Sequence, residues 1–180
     1  MNETIQTLKE RRSVRNFTDK PVDKELIEQI IDAGLWAPSG LGAQAPIILA
    51  ITNKELRDRL SKMNADVMRA AGRGPAEDFD PFYGGPVVLV VLSNKAVPTY
   101  VYDGALVMGN LMNAAKSLGV DSIWVHRAKE EFESEEGKAI LAELGVEGEF
   151  EGIGHCVLGY AAKPAGEGAR RNDGRVIWAE

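Results

Sequence analysis

The hexapeptide VVLVVL, residues 87–92, decides the fold class of this 180-residue chain. Six consecutive apolar residues, most of them β-branched, are typical of a strand that is buried on both faces. The run PIILAIT at residues 46–52 predicts a second strand of the same kind, and residues 122–125 and 153–160 predict two more. A sheet of four strands therefore forms the centre of the predicted core.

Five helices are predicted around these strands, including one at the N-terminus. Another follows Asp23, its predicted N-cap, and its apolar face carries Leu26, Ile27, Ile30, Ile31 and Leu35. Asn53 and Ser134 are placed to cap two further helices, and residues 102–117 form a long one. Strands interleaved with helices predict a layered α+β or α/β domain.

Length and composition restrict the class of protein. With 44% hydrophobic residues, the chain can bury a full core as one domain, 1–180, with the polar segment 161–180 as a C-terminal arm. A single cysteine, Cys156, allows no internal disulfide and suits a reducing cytoplasm. The net charge of −6 argues against nucleic-acid binding, and no apolar run approaches the ~20 residues of a membrane span. Glycine, proline and acidic residues dominate 71–85, which predicts a long loop over a site.

Three arginines and a serine lie close together in RRSVR, residues 11–15. Guanidinium groups are permanently charged and donate hydrogen bonds in pairs, which suits phosphate oxygens. Because the chain as a whole is acidic, we interpret this cluster as a clamp for one small phosphorylated ligand. The alternative is a solvated basic patch at the end of the N-terminal helix, where cations suit the helix dipole.

The sequence lacks the usual signatures of nucleotide, metal and nucleophile sites. It contains neither the glycine-rich phosphate loop nor the dinucleotide-binding glycine motif. Its two histidines, His126 and His155, do not supply a metal site without a spaced carboxylate motif. Cys156 directly follows His155, but strand neighbours point to opposite faces, so a buried thiol is expected rather than a nucleophile. An enzyme of this kind borrows its reactivity from an organic cofactor.

Several short motifs, taken together, resemble the FMN-dependent nitroreductase family. In chain order they are RRSVRNF at 11–17, APSGLGAQ at 37–44, DPFYGGP at 80–86, DGA at 103–105, NL at 110–111, LGVDSIWV at 118–125 and the pair Gly159-Tyr160. Each motif is loose, but their shared order and spacing are specific and cover nearly the whole chain. The resemblance implies an α+β nitroreductase-like fold with a central mixed, mainly antiparallel sheet flanked by helices. It also implies an intertwined homodimer with its cofactor sites at the subunit interface.

The same resemblance implies which residues hold FMN. Those implied for the phosphate are Arg11, Arg12, Ser13, Arg15, Arg170 and Arg171, although the last two also suit a solubilising terminus. Those implied for the ring are Pro38, Ser39, Gly40, Gln44 and Asn64, with a backbone N–H of His126 or Arg127 for the reactive N5. The alternative for Asn64 is to cap or end its helix. Gly42 and Ala45-Pro46 depart from the family's asparagine and Pro-Trp, which removes an amide and an indole near the ring.

An FMN-dependent oxidoreductase is the function that the resemblance implies. NADH or NADPH would give a hydride to flavin N5, and a nitroaromatic, quinone or similar small acceptor would then take two electrons in the same pocket. No catalytic side chain and no metal is expected, since the flavin is the redox centre. The alternatives are a dedicated reductase or flavin-destroying enzyme of the same fold, or a non-catalytic module that binds flavin or a phosphorylated ligand. Trp36 and Trp124 are expected to anchor the core.

Overall fold

The computed structural model describes residues 1–72, 74 and 76–180. The helices found there are α1 (Glu3–Glu10), α2 (Lys24–Leu35), α3 (Lys54–Ala70), α4 (Tyr100–Ser117), α5 (Ala128–Glu133) and α6 (Glu135–Glu143). The strands are β1 (Pro46–Ile51), β2 (Val87–Asn94), β3 (Asp121–Val125) and β4 (Phe150–Gly159). The predicted loop 71–85 holds no helix or strand in its described residues, and positions 73 and 75 lie outside them.

The four strands form one sheet in the order β1-β2-β4-β3, and every neighbouring pair runs antiparallel. β2 and β4 are the central pair, with Val90 opposite His155. The segment that follows α1 adds a parallel bridge from Ser13 to Ser122 on β3. The sheet is therefore mixed but mainly antiparallel, as predicted.

β2 separates two core layers, because successive side chains of a strand point to opposite faces of the sheet. The even-numbered residues of the hexapeptide 87–92 pack with α3, α5 and α6, whereas the odd-numbered residues pack with α2 and α4. All six side chains are buried. The prediction of a strand buried on both faces is confirmed for β2, and helices cover both faces of the sheet.

Three expectations about burial are wrong. β1 is an edge strand of the sheet, and most of its side chains are only partly buried rather than buried on both faces. Leu35 lies on the predicted apolar face of α2 but is half-exposed, and Trp36 is 80% exposed instead of anchoring the core. Trp124 does pack partly buried against the layer formed with α2 and α4. Periodicity identifies an apolar face, but it does not show whether the same chain covers that face.

Two of the three predicted helix caps are confirmed. Asn53 Oδ1 accepts from the N–H of Leu56 at 2.9 Å, and Ser134 Oγ accepts from the N–H of Gly137 at 3.0 Å. Asp23 precedes α2, but its side chain makes no capping hydrogen bond. α4 begins two residues before its predicted start at position 102, and the chain holds six helices rather than five among its described residues. The additional helix, α5, is too short to show a helical period in the sequence. No helix in this described part is long and apolar enough to cross a membrane.

Candidate functional site

A cavity of about 170 Å³ lies where β3 ends and the chain turns into α5. It brings together four residues expected at the site from three distant parts of the sequence: Arg15, Asn64, His126 and Arg127. The loop that follows α3 forms another wall with Phe79, Pro81 and Tyr83. We call this the ring cavity, because Asn64, His126 and Arg127, three of the residues expected at the flavin ring, meet here; Arg15, expected at the phosphate, joins them.

Asn64 is fully buried on α3 and connects that helix to the turn after β3. Its Nδ2 donates to the carbonyl oxygen of His126 at 2.8 Å and also to Oε1 of Glu131. These two acceptors establish which end of the amide is nitrogen. The alternative that Asn64 caps or ends its helix is wrong, because α3 continues to Ala70. Within the described residues, the buried Oδ1 of Asn64 has no hydrogen-bond partner, which is rare for a buried polar atom.

The turn after β3 has a strained backbone. Arg127 has a φ of 79°, in the left-handed region that residues other than glycine rarely adopt. Tyr83, on the facing wall, has a φ of 54°. Such conformations persist only where their surroundings hold them, and they cluster at functional sites. Here the carbonyl oxygen of Arg127 is held by the N–H of Glu131 at 3.1 Å, in the first turn of α5.

Asp80 organises the loop that forms the wall with Tyr83. Its carboxylate accepts from Ser61 Oγ at 2.6 Å and from Arg57. It also accepts from the backbone N–H groups of Phe82 at 2.9 Å and Gly84 at 2.7 Å. Burial on its own raises the pKa of Asp80, but Arg57 and the other donors outweigh burial and hold the pKa below its ordinary value. The carboxylate is therefore charged at neutral pH and fixes the shape of this wall.

Arg11 lies in a second cavity, of about 280 Å³, further along the edge of β3. Three cations and two acids line it: Arg11, Arg12, Lys116, Glu10 and Asp121. Arg12 donates to the carbonyl oxygens of Lys9 at 2.7 Å and Arg11 at 2.9 Å, so part of its guanidinium is already satisfied. By contrast, Arg11 Nη1 and the neighbouring Ser122 Oγ are buried, and neither has a partner among residues 1–72, 74 and 76–180. We call this the anion cavity.

The structure divides the cluster RRSVR between these two cavities. Arg11 and Arg12 line the anion cavity, and Arg15 lines the ring cavity. Ser13 lies between them, where its backbone bridges Ser122 on β3. An extended segment rises about 3.3 Å per residue, so the four steps from Arg11 to Arg15 carry these two residues roughly 13 Å apart along β3.

The segment 38–44 lies apart from both cavities in one chain. Pro38, Ser39 and Gln44 line a surface groove with Trp36, and that groove shares no residue with the ring cavity. Asp103, buried on α4, accepts from the N–H of Gly40 at 3.0 Å and from Thr99 Oγ1 at 3.0 Å. Ser39 Oγ accepts from the N–H of Gln44 at 3.0 Å. The segment is thus held firmly in place, but nothing in the same chain brings it to the other expected residues.

Exposed apolar side chains surround the segment 38–44. They belong to the end of α2, to the segment itself and to the start of α4: Leu35, Trp36, Leu41, Val101, Tyr102 and Leu106. Because Gly40 is bonded to Asp103, the segment and the start of α4 form one continuous surface. An apolar surface of this extent is typical of a protein interface.

Arg170 and Arg171 line neither cavity in this chain, although Ala165 and Gly166 of the same arm line the anion cavity. Arg170 pairs with Asp173 at 3.1 Å, and Arg171 donates to the carbonyl oxygen of Ala169 at 3.1 Å. Further on, Val176, Ile177 and Trp178 are exposed, and Trp178 reaches 81%. These apolar residues lack a surface to cover within the described part of the protein.

Glu131 is a site residue that sequence reasoning missed. It lies in the acidic run 130–136, which reads as a solvated helix face, yet only 1% of it is exposed. No sequence signal separates it from the exposed Glu130 beside it, because its burial depends on how α5 packs on α3 and β4. Asp80 was visible in the motif 80–86, but its role in holding that loop was not.

Comparison with known proteins decides the family. The model described as "Nitroreductase family" matches residues 8–160. The chain belongs to the nitroreductase family. A crystal structure of a nitroreductase with bound FMN from Bacteroides fragilis NCTC 9343 is 28% identical in sequence, with a TM-score of 0.88 and 100% of both chains covered.

Two sequence relatives of this chain match it over a smaller share of their own length. The FMN reductase (NAD(P)H) of Bacillus subtilis (strain 168) is 29% identical over 140 residues, which are 68% of this chain and 53% of that protein. The oxygen-insensitive NADPH nitroreductase of Salmonella typhimurium (strain LT2) is 29% identical over 142 residues, which are 74% of this chain and 58% of that protein. The chain therefore spans little more than half the length of these relatives.

The two departures from the nitroreductase motif lie in well-defined backbone. Gly42 has a φ of 68°, which glycine adopts without strain. Pro46 opens β1, and the carbonyl oxygen of the buried Ala45 accepts from the N–H of Asn94 at 3.0 Å. The nitroreductase segment thus keeps its main-chain pairing without the usual asparagine and tryptophan side chains.

Proposed function

We propose that this nitroreductase is an FMN-dependent oxidoreductase that uses NADH or NADPH to reduce nitroaromatics, quinones or similar small acceptors. The observation that carries the proposal is the pairing of the anion cavity with the ring cavity along β3. Support also comes from the FMN-bound relative, whose fold matches this chain along its full length. The single buried thiol, Cys156, suits a cytoplasmic enzyme.

The residues present fit the two ends of FMN. At the phosphate end, Arg11 Nη1 and Ser122 Oγ are buried donors without a partner in the described structure, which is unfavourable until an acceptor arrives. Lys116 adds a further positive charge. At the ring end, Asn64 Oδ1 can accept from a ring N–H, and Arg15 supplies a cation. We therefore assign Arg11 to the phosphate and Arg15 to the ring.

When bound, FMN supplies the hydride-accepting and electron-donating chemistry that no side chain of this protein provides. The chain's own residues bind and orient it. Arg15, which lines the ring cavity, would place positive charge beside the bound ring and would favour its reduced form. The N–H of Arg127, at the strained turn, is the backbone donor proposed for N5.

We propose that the protein is an intertwined homodimer of single-domain chains. The ring cavity, at about 170 Å³, is smaller than the ~300–1,000 Å³ typical of ligand sites, so one chain supplies only part of the walls. The exposed surface around Trp36 and Leu41 needs a cover, and a second copy would bring Ser39 and Gln44 to the first copy's ring cavity. The arm 161–180 begins on its own chain, where Ala165 and Gly166 line the anion cavity, and its end would then lie against the partner, which would bury Trp178 and give Arg170 and Arg171 a route to a phosphate.

The test of the proposed function is to purify the protein, add FMN and remove excess ligand. A yellow holoprotein that oxidises NADH or NADPH with a nitrofuran or quinone present is the expected result. Protein that stays colourless after reconstitution contradicts the proposal and favours a non-catalytic phospho-ligand module. A third result is a holoprotein that NADH or NADPH reduces but that neither the nitrofuran nor the quinone reoxidises. This result favours a dedicated reductase instead.

Cys156 should play no chemical part. Burial raises the pKa of its thiol to about 12, so the thiolate nucleophile is absent at neutral pH. We expect Cys156→Ala to keep FMN affinity and turnover while losing about 1 kcal/mol of stability through a small cavity. Urea unfolding, FMN titration and steady-state NAD(P)H oxidation measure the three quantities. A folded, fully flavinated variant without activity would show that the thiol takes part in the reaction.

A further inference from the structure

We propose that the buried side chains Asn64, Glu131 and His155 form a positioning device that aims the N–H of Arg127 into the ring cavity. The inference rests on the proposed function, since the ligand of that N–H is FMN. It assigns a role to Glu131 and His155, which touch no part of the ring cavity themselves. All three side chains are buried to within 1% of completely.

Two consecutive carbonyl groups at the end of β3 are held from inside the protein. The carbonyl oxygen of Val125 lies 3.3 Å from Nδ1 of His155. The next one, of His126, accepts from Asn64 Nδ2 at 2.8 Å. The backbone at this point is thus fixed at two successive peptide planes by side chains from two other elements, β4 and α3.

The carbonyl of His126 and the N–H of Arg127 belong to the same peptide plane. In a trans peptide these two groups point in opposite directions. Because the carbonyl points to the buried Asn64, the N–H points the opposite way, and under this proposal that side faces the ring cavity, which His126 and Arg127 both line. The hydrogen bond from Asn64 also polarises this peptide and makes its N–H a stronger donor.

Glu131 connects the two side chains that hold the turn. Its Oε1 accepts from Asn64 Nδ2, and its Oε2 lies 3.2 Å from His155 Nε2. The distance between Glu131 Oε2 and His155 Nε2 is that of an ion pair, but the two atoms are not aligned for a hydrogen bond. In the described structure, neither of these two atoms has a hydrogen-bond partner. A fully buried carboxyl group with only one hydrogen-bonded oxygen contributes little to stability. The position of Glu131 is better explained by its holding Asn64 and His155 in place.

The test compares three substitutions in the FMN-loaded protein. Glu131→Leu removes both contacts and should weaken FMN binding about tenfold, with a larger loss for reduced FMN than for oxidised FMN. Glu131→Gln should behave as the parent, because its amide oxygen accepts from Asn64 and its NH₂ donates to the Nε2 of a His155 whose Nδ1 carries the proton. Glu130→Leu alters an exposed neighbour on the same helix and should change nothing.

The readouts are the dissociation constant of FMN and the midpoint potential of the bound flavin. Each tenfold difference between the losses for reduced and oxidised FMN lowers the two-electron potential by about 30 mV. A lowered potential in Glu131→Leu, restored in Glu131→Gln, is the expected result. A merely structural role for Glu131 would reduce stability without moving the potential.

Folded Glu131→Leu with the parent's affinity and potential overturns the inference and leaves the proposed function intact. If that variant does not fold, His155→Phe carries the same test, because it removes the contacts with Val125 and Glu131 at a residue that does not line the ring cavity. An unchanged potential there also overturns the inference. A parent protein that binds no FMN overturns the proposed function itself, and this inference with it.

Discussion

Arg11→Ala should weaken FMN binding about ten- to a hundredfold while leaving riboflavin binding unchanged. A charge-assisted hydrogen bond contributes about 1.5 to 3 kcal/mol, which corresponds to this range of affinity. Riboflavin carries the same ring without the phosphate, so it reports only the ring cavity. Fluorescence titration with both ligands measures the two dissociation constants. The buried Nη1 of Arg11, without a partner in the described structure, is the reason to place the phosphate contact there.

Arg15→Ala is the matched variant, since Arg15 belongs to the same RRSVR segment but lines the ring cavity. Arg15→Ala should weaken the binding of FMN and of riboflavin by similar factors, because Arg15 is proposed to contact the ring. If Arg11→Ala lowers the affinity for FMN and for riboflavin equally, Arg11 does not contact the phosphate. If Arg15→Ala lowers the affinity for FMN alone, Arg15 contacts the phosphate, as the sequence pattern suggests.

Two inactive variants should restore activity when they are refolded together. Arg15→Glu reverses the charge in the ring cavity, and Gln44→Glu places a carboxylate on the segment proposed to arrive from the partner. In a mixed dimer, one site carries both changes and the other carries neither. Random pairing makes half of the dimers mixed, so total activity should return to about a quarter of the parent if the two sites are independent.

The physical reason for this recovery is that Arg15 and Gln44 line separate cavities in one chain. Each variant refolded alone is the control and should stay inactive. Native mass spectrometry confirms that mixed dimers have formed. If they form from folded chains and activity does not return, both residues belong to a site within one chain, and the proposed composite site is wrong.

The sequence by itself determined the features that depend on local pattern. The buried strand at 87–92, the caps Asn53 and Ser134 and the long helix α4 follow from side-chain periodicity and from hydrogen bonds between near neighbours. The order of the short motifs also determined the family, because each motif keeps its place along the chain. These properties do not depend on which helices and strands pack against one another.

Only the tertiary structure decided how the site residues are grouped. It separated Arg11 from Arg15, because an extended segment beside β3 carries residues four positions apart roughly 13 Å along the sheet edge, to different cavities. It buried Glu131 while leaving Glu130 exposed, and it left Trp36 uncovered at the end of an apolar helix. Burial and grouping depend on long-range packing, here of α3, α5 and β4 around one turn. The periodicity of apolar residues along the chain shows which side chains share one face of a helix or strand. It does not show which other element packs against that face.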